Sequence, residues 1–230
     1  MSQYIPQQDD SISSEEIEDS QTVMAEVRKK TLNKARETAN AIYENGIISR
    51  LSYNLIMNYY DELCDSDGTE ALDKRLPLLS HKSHVRLIRL RKIQLFLHFF
   101  PNSNFSIKYY SKIVSHKYDI YRGYIIIQER CLKLIDDIDK SDIIDQAIES
   151  EILNAIRAEI NSNIDRANYL IASLQENFPK SFKNAVTSKA IRMLLAEEKK
   201  MTHQIFKDGL ITEDEFLSMA KEINNRKIYF

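Results

Sequence analysis

The hydrophobic residues of this chain recur with a helical period almost throughout. Between Ser141 and Phe178 the apolar positions are Ile144, Ile148, Ile152, Ile156, Ile160, Ile164, Tyr169 and Ile171. Spacing of four, with Leu153 and Leu170 alongside, predicts an amphipathic helix near 142–177. Ser141 suits its N-cap and Pro179 its stop. About 36 residues at 1.5 Å each would span ~54 Å. A helix that long in so small a protein calls for a partner helix or a second copy. Ser181 is placed to cap a further helix running through Lys207. Sustained two-residue alternation is absent. A strand competes only at Tyr118–Ile127, and the period from Tyr118 on to Ile138 favours helix. The predicted fold class is therefore all-α: an elongated helical bundle with two αα-hairpins and one long helix.

The two hairpins share a specific pattern. Ile42-Tyr-Glu-Asn-Gly46-Ile-Ile-Ser49-Arg-Leu-Ser-Tyr53 aligns without a gap on Ile205-Phe-Lys-Asp-Gly209-Leu-Ile-Thr212-Glu-Asp-Glu-Phe216, at an offset of 163. Gly46 and Gly209 can take positive φ and close a helix with a Schellman cap. Ile47 and Leu210 supply the apolar contact that accompanies such a cap. Ser49 and Thr212 are N-caps for the helix that follows. Ile48 with Tyr53, and Ile211 with Phe216, occupy the positions of a hydrophobic staple, and Thr212 with Glu215 completes a capping box. The structural turn residues are thus Gly46, Ser49, Gly209 and Thr212.

Composition narrows the fold further. The chain has four glycines and four prolines, where a chain of this length averages roughly 16 and about 12. That scarcity opposes turn-rich sandwiches, barrels and propellers and leaves no Gly-rich loop to cradle a phosphate. Cys64 and Cys131 are far apart with no CxxC spacing, which suits a reducing compartment and excludes a Cys-framed zinc site. The N-terminal residues do not read as a secretory signal peptide. The most apolar stretches, Leu95–Phe100 and Tyr124–Ile127, fall far short of the ~20 residues of a membrane span. The expected localisation is cytoplasmic.

Charge comes in blocks. Residues 1–27 hold seven acids (Asp9, Asp10, Glu15, Glu16, Glu18, Asp19, Glu26) and no Lys or Arg. Residues 1–20 read as a disordered acidic leader. Residues 21–230 read as one all-helical domain: a hairpin at 22–64, central basic helices at 78–117, then the long helix and second hairpin at 119–230. From His81 to Arg122 nine cations (Lys82, Arg86, Arg89, Arg91, Lys92, Lys108, Lys112, Lys117, Arg122) face the single acid Asp119. From Leu134 to Asp165 nine acids face Lys140 and Arg157. The simplest reading is two helical faces that attract each other, within the chain or across a homodimer. An acidic protein partner or an anionic membrane surface on the basic block is the alternative. Nucleic acid is not expected, since no recognised motif is present and the balance is mildly acidic.

Candidate chemistry is thin. His81 and His84 could share a helix face but have no Asp, Glu or Cys at ligand spacing. Asp65-Ser-Asp67-Gly68-Thr-Glu70 resembles the start of an EF-hand loop but has Leu76 where the twelfth-position glutamate belongs, so it reads as a polar turn. Asp136-Asp137-Ile-Asp139 reads as a solvated helix end. No catalytic set, cofactor, metal site or small-molecule substrate is identified, and the expectation is a protein that is not an enzyme.

One resemblance adds to this. Tyr118-Asp-Ile-Tyr-Arg-Gly-Tyr-Ile-Ile-Ile-Gln-Glu129, the long helix, Ser188-Lys-Ala-Ile-Arg-Met-Leu-Leu-Ala196 and Phe206-Lys-Asp-Gly-Leu-Ile-Thr-Glu-Asp-Glu-Phe216 follow one another in order. The set resembles the cytoplasmic helical region of sodium/proton antiporters, the sperm-type exchanger and related bacterial proteins. The likeness covers about residues 105–227, and more loosely 42–63. It has no counterpart of the transporter helices, their ion-translocating carboxylates or the cyclic-nucleotide-binding domain. The resemblance implies a regulatory or dimer-forming cytosolic module, either a fragment of a larger transporter or a stand-alone descendant. A second reading is a bacterial effector exported into a host cell, since the acidic cluster Glu213-Asp214-Glu215 is similar to the acidic block of type IV secretion substrates. The alternative role for those acids is to face a helix dipole.

Overall fold

The computed structural model describes residues 14–72, 104–139 and 146–228. Within them the chain forms six helices and no strand: α1 (Ser14–Glu44), α2 (Arg50–Cys64), α3 (Asn104–Asp139), α4 (Gln146–Asn177), α5 (Pro179–Lys207) and α6 (Glu213–Ile228). The all-α class and the long helix are as the periodicity predicts. Three boundaries differ. α1 begins at Ser14, so residues 14–20 of the expected leader are helical. α3 runs unbroken across the expected boundary near 118, because nothing from Asn104 to Asp139 interrupts its helical pattern. Residues 78–103 of the expected basic helices lie outside the described residues.

The third difference is at Ser181, which caps nothing. α5 already starts at Pro179, with Phe178 (φ −138°, ψ 56°) as the single non-helical residue after α4. Proline disfavours helical backbone in the residue before it and is itself at home at the first helical position. One residue type thus both stops α4 and starts α5. Tyr110 stacks on Phe178 at 5.4 Å and holds the bend against α3.

α3 is the centre of the bundle, packed by α1, α2, α4 and α5. α4 runs back along it: Leu174 packs near Val114 and Tyr121, while Arg157 meets Asp136 and Asp139 at the other end. α5 turns again and runs with α3, from Ser111–Ser181 (3.4 Å) to Asp119–Arg192. The main core joins Leu32, Ala35 and Ala39 of α1, Ile56 and Tyr60 of α2, Tyr124 to Ile135 of α3, and Leu153, Ile156 and Ile160 of α4. At ~25 cal/mol per Å² of apolar surface, side chains of this size each contribute about 1.5–3 kcal/mol when fully buried. Ile152, Ile156 and Ile160 of the α4 stripe are buried in this core, while Tyr169 is 73% exposed.

The exit from α2 is tied to α4 by polar contacts. Glu159 pairs with Arg28 of α1 and accepts the Leu72 N–H at 2.9 Å. Asn163 donates to the Leu72 carbonyl at 3.0 Å, as does the Tyr59 hydroxyl at 3.3 Å. The Asp65–Glu70 stretch is a turn, as expected, with Asp67 (φ 53°) bonded to Lys29 at 2.7 Å.

Candidate functional site

The two glycine turns fold alike. Gly46 (φ 69°) and Gly209 (φ 70°) close their helices with paired backbone bonds. Ile47 N–H reaches the Ile42 carbonyl (2.9 Å) and Leu210 N–H the Ile205 carbonyl (3.1 Å), which is the Schellman arrangement. The Ser49 hydroxyl accepts the Ser52 N–H (3.3 Å). Thr212 exchanges bonds with Glu215, giving its own N–H to the carboxylate at 2.8 Å. An aromatic pair was not foreseen from sequence. Tyr43 stacks on Tyr53 at 4.6 Å and Phe206 on Phe216 at 4.7 Å, the same two places in each repeat.

Their surroundings are unlike. The first turn is driven into the bundle. A Cβ on Gly46 would stand 2.6 Å from the Arg192 carbonyl oxygen, and one on Gly123 of α3 would stand 2.6 Å from Ile48 Cγ2. Ile48 itself is buried. The second turn has nothing within 4 Å of a Cβ placed on Gly209, and Leu210 is 74% exposed.

A polar cluster seals the first turn. Asp119, buried on α3, accepts two bonds from Arg192 Nη2 of α5 (2.5 and 2.7 Å) and one from the Ser49 N–H (3.3 Å). Ser49 and Ser52 share a bond of 2.9 Å, and the Ser52 hydroxyl meets His116 Nδ1 at 3.1 Å. Burial pushes the Asp119 carboxyl above its ordinary value, and Arg192 and Ser49 pull against that without cancelling it. Burial pushes His116 down, against the attraction of Asp119. Beside them Lys189 lies over the Tyr118 ring at 5.6 Å. Burial first, and then Arg122, lower its amine to about 8.

A serine, a histidine and an aspartate therefore meet from remote segments, which no local motif announces. The set is closed to chemistry. Ser52 is 0% exposed, and the Asp119 carboxylate is committed to Arg192 and Ser49 rather than to an imidazole N–H. In a working triad the carboxylate orients the histidine and the hydroxyl faces substrate. Here the three groups fasten α2 to α3, and Asp119 with Arg192 ties in α5.

The basic block divides. Lys82, Arg86, Arg89, Arg91 and Lys92 lie outside the described residues, and Lys108 is in α3. Lys112 and Lys117 are exposed on α3, and Arg122 is half-buried near Lys189. The acidic block was expected to attract this face. Among the described residues its ion pairs go elsewhere: Asp136 and Asp139 to Arg157, and Glu159 to Arg28. The fold sets the acidic end of α3 against Arg157 of α4, and Arg28 of α1 against Glu159 of α4. Among the described residues no group of three or more His, Cys, Asp and Glu could hold a metal ion, and no helix is long and apolar enough to cross a membrane. Between α5 and α6 lies an apolar hollow of about 50 Å³, lined by Thr202, His203, Phe216 and Ile223, far below the ~300–1,000 Å³ of small-molecule sites. No protein-family model matches the chain, and no curated protein is significantly similar to it.

Proposed function

We propose that this chain is a non-catalytic helical interaction module that self-associates, in the manner of the antiporter cytoplasmic region it resembles. The observation that carries this reading is the contrast between two turns of one design. The first is consumed in building the bundle, and the second projects with its apolar side chains outside. Leu194 (71%), Leu210 (74%), Met201 (59%) and Leu217 (55%) are all exposed on the α5–α6 hairpin. A concentration of exposed apolar side chains marks a surface meant to be covered. The residues behind the resemblance, among them Asp119, Gly123 and Arg192, meet around the first turn and serve packing. Light scattering coupled to size exclusion tests the reading. A mass of two chains is expected, and a strict monomer across tens of micromolar removes self-association. Flotation with anionic and neutral vesicles tests the membrane alternative; indifference to lipid charge counts against it. In the alternative reading, an exported effector, the acidic cluster Glu213-Asp214-Glu215 would be the signal; Glu215 of that cluster also caps α6.

A further inference from the structure

α5 is apolar on two opposite sides. One side, with Phe182, Ala185 and Leu195, packs inward. The other bears Val186 (40% exposed), Met193 (40%) and Leu194 (71%). At 100° per residue this outer stripe contains Lys183, Val186, Thr187, Ala190, Met193, Leu194 and Glu197, and all seven are exposed.

The order of these residues is self-complementary. Ala190 stands in the middle. Thr187 and Met193 lie three residues to either side, Val186 and Leu194 four, and Lys183 and Glu197 seven. Two such helices laid antiparallel, crossing at Ala190, bring each copy's Leu194 onto the other's Val186. Each Lys183 then meets the other's Glu197, twice per pair. The small side chain at the crossing lets the backbones approach. Neither Lys183 nor Glu197 has an ionic partner among the described residues. A parallel arrangement would instead set lysine on lysine and glutamate on glutamate.

We infer that two copies of this chain pair through the outer face of α5, antiparallel, about a two-fold axis beside Ala190. This rests on the self-association reading and names its surface. An isologous contact of this kind closes after two chains. It also moves the interface away from α4, whose Ile152, Ile156 and Ile160 are buried at home. A vesicle surface is the competing occupant, but the stripe ends in one lysine, Lys183, and one glutamate, Glu197, and so has no net positive charge to draw anionic lipid.

Sedimentation equilibrium on the full chain tests the inference, with the thermal melt of each variant showing that the bundle is intact. L194E, at a solvent-facing site, is expected to abolish the dimer. K183E and E197K each set like charges against each other twice and are expected to weaken association roughly tenfold. Mixing these two variants restores opposite charges at both ends, so a hetero-pair tighter than either homodimer is expected. If the wild type dimerises but L194E and the charge variants do so equally well, this surface is wrong and self-association survives. If the wild type is monomeric, both fall. If the wild type binds anionic vesicles through Leu194 and does not self-associate, the stripe is a lipid face and the inference is overturned.

Discussion

Asp119 and Arg192, 73 residues apart, form a buried ion pair whose carboxylate also accepts the Ser49 N–H. Three segments are joined at one pair of oxygens. The pair is incompletely served, because the buried Arg192 Nε has no hydrogen-bond partner. Such a pair owes its value to geometry rather than to net attraction, since desolvating both ions offsets most of the Coulomb gain.

Removing one partner should therefore hurt more than removing both. D119A is expected to cost roughly 3–5 kcal/mol by leaving a buried guanidinium uncompensated. The double variant D119A/R192M should cost less than D119A alone. Urea unfolding of the two singles and the double completes the cycle; strict additivity would mean the pair contributes no coupling.

The glycine turns give a second contrast. G209A places a side chain at φ 70° in open space and should cost about 1–2 kcal/mol in backbone strain. G46A has the same strain and a clash with the Arg192 carbonyl, so it should cost roughly 1–3 kcal/mol more. G123A should also destabilise, against the ~1 kcal/mol that alanine gains over glycine inside a helix, because Ile48 occupies the space. Thermal melts of the three variants would rank them. Equal losses for G46A and G209A would refute the docked first turn.

His116 gives the fold a pH dependence. Burial lowers its folded pKa, so below the ordinary value near 6.5 the unfolded chain binds more protons. Stability from this group therefore rises with pH through that window and is lost as pH falls from about 7. Asp119, whose folded pKa is raised, acts in the opposite sense at lower pH. Denaturant midpoints between pH 7.5 and 5.5 should fall for the wild type and flatten for H116Q. An unchanged slope in H116Q would assign the effect elsewhere.

The two cysteines should react very differently. Cys131 is 0% exposed, and burial pushes its thiol up to about 12. Cys64 is only half-buried. A disulfide-exchange reagent at neutral pH should titrate one thiol in the folded chain and two after denaturation. Rapid modification of both in the native state would contradict the burial of the α1–α3 contact, where Cys131 faces the Thr31 carbonyl.

The glycine caps, the N-caps at Ser49 and Thr212 and the capping box at Glu215 were legible in the sequence because each closes within five residues. The helix period was legible because it repeats. What local pattern could not supply was the receptor of each turn. Gly46-Ile47-Ile48-Ser49 and Gly209-Leu210-Ile211-Thr212 read as equals. Whether a turn is buried depends on Gly123, Asp119 and Arg192, which lie about 70 residues or more away along the chain. The Ser52–His116 contact was hidden for the same reason.

Sequence by itself determined an all-helical chain, its two bends and the period of its long helices, since these follow from backbone bonds and side chains only a few residues apart. The tertiary structure decided which bend would be enclosed, that Ile152, Ile156 and Ile160 of α4 would be buried in the core, and that α5 would carry exposed apolar residues opposite its packed side. Those outcomes depend on how helices share a limited interior. A helix can commit each face once, and which face is left over is known only when every other helix has taken its place.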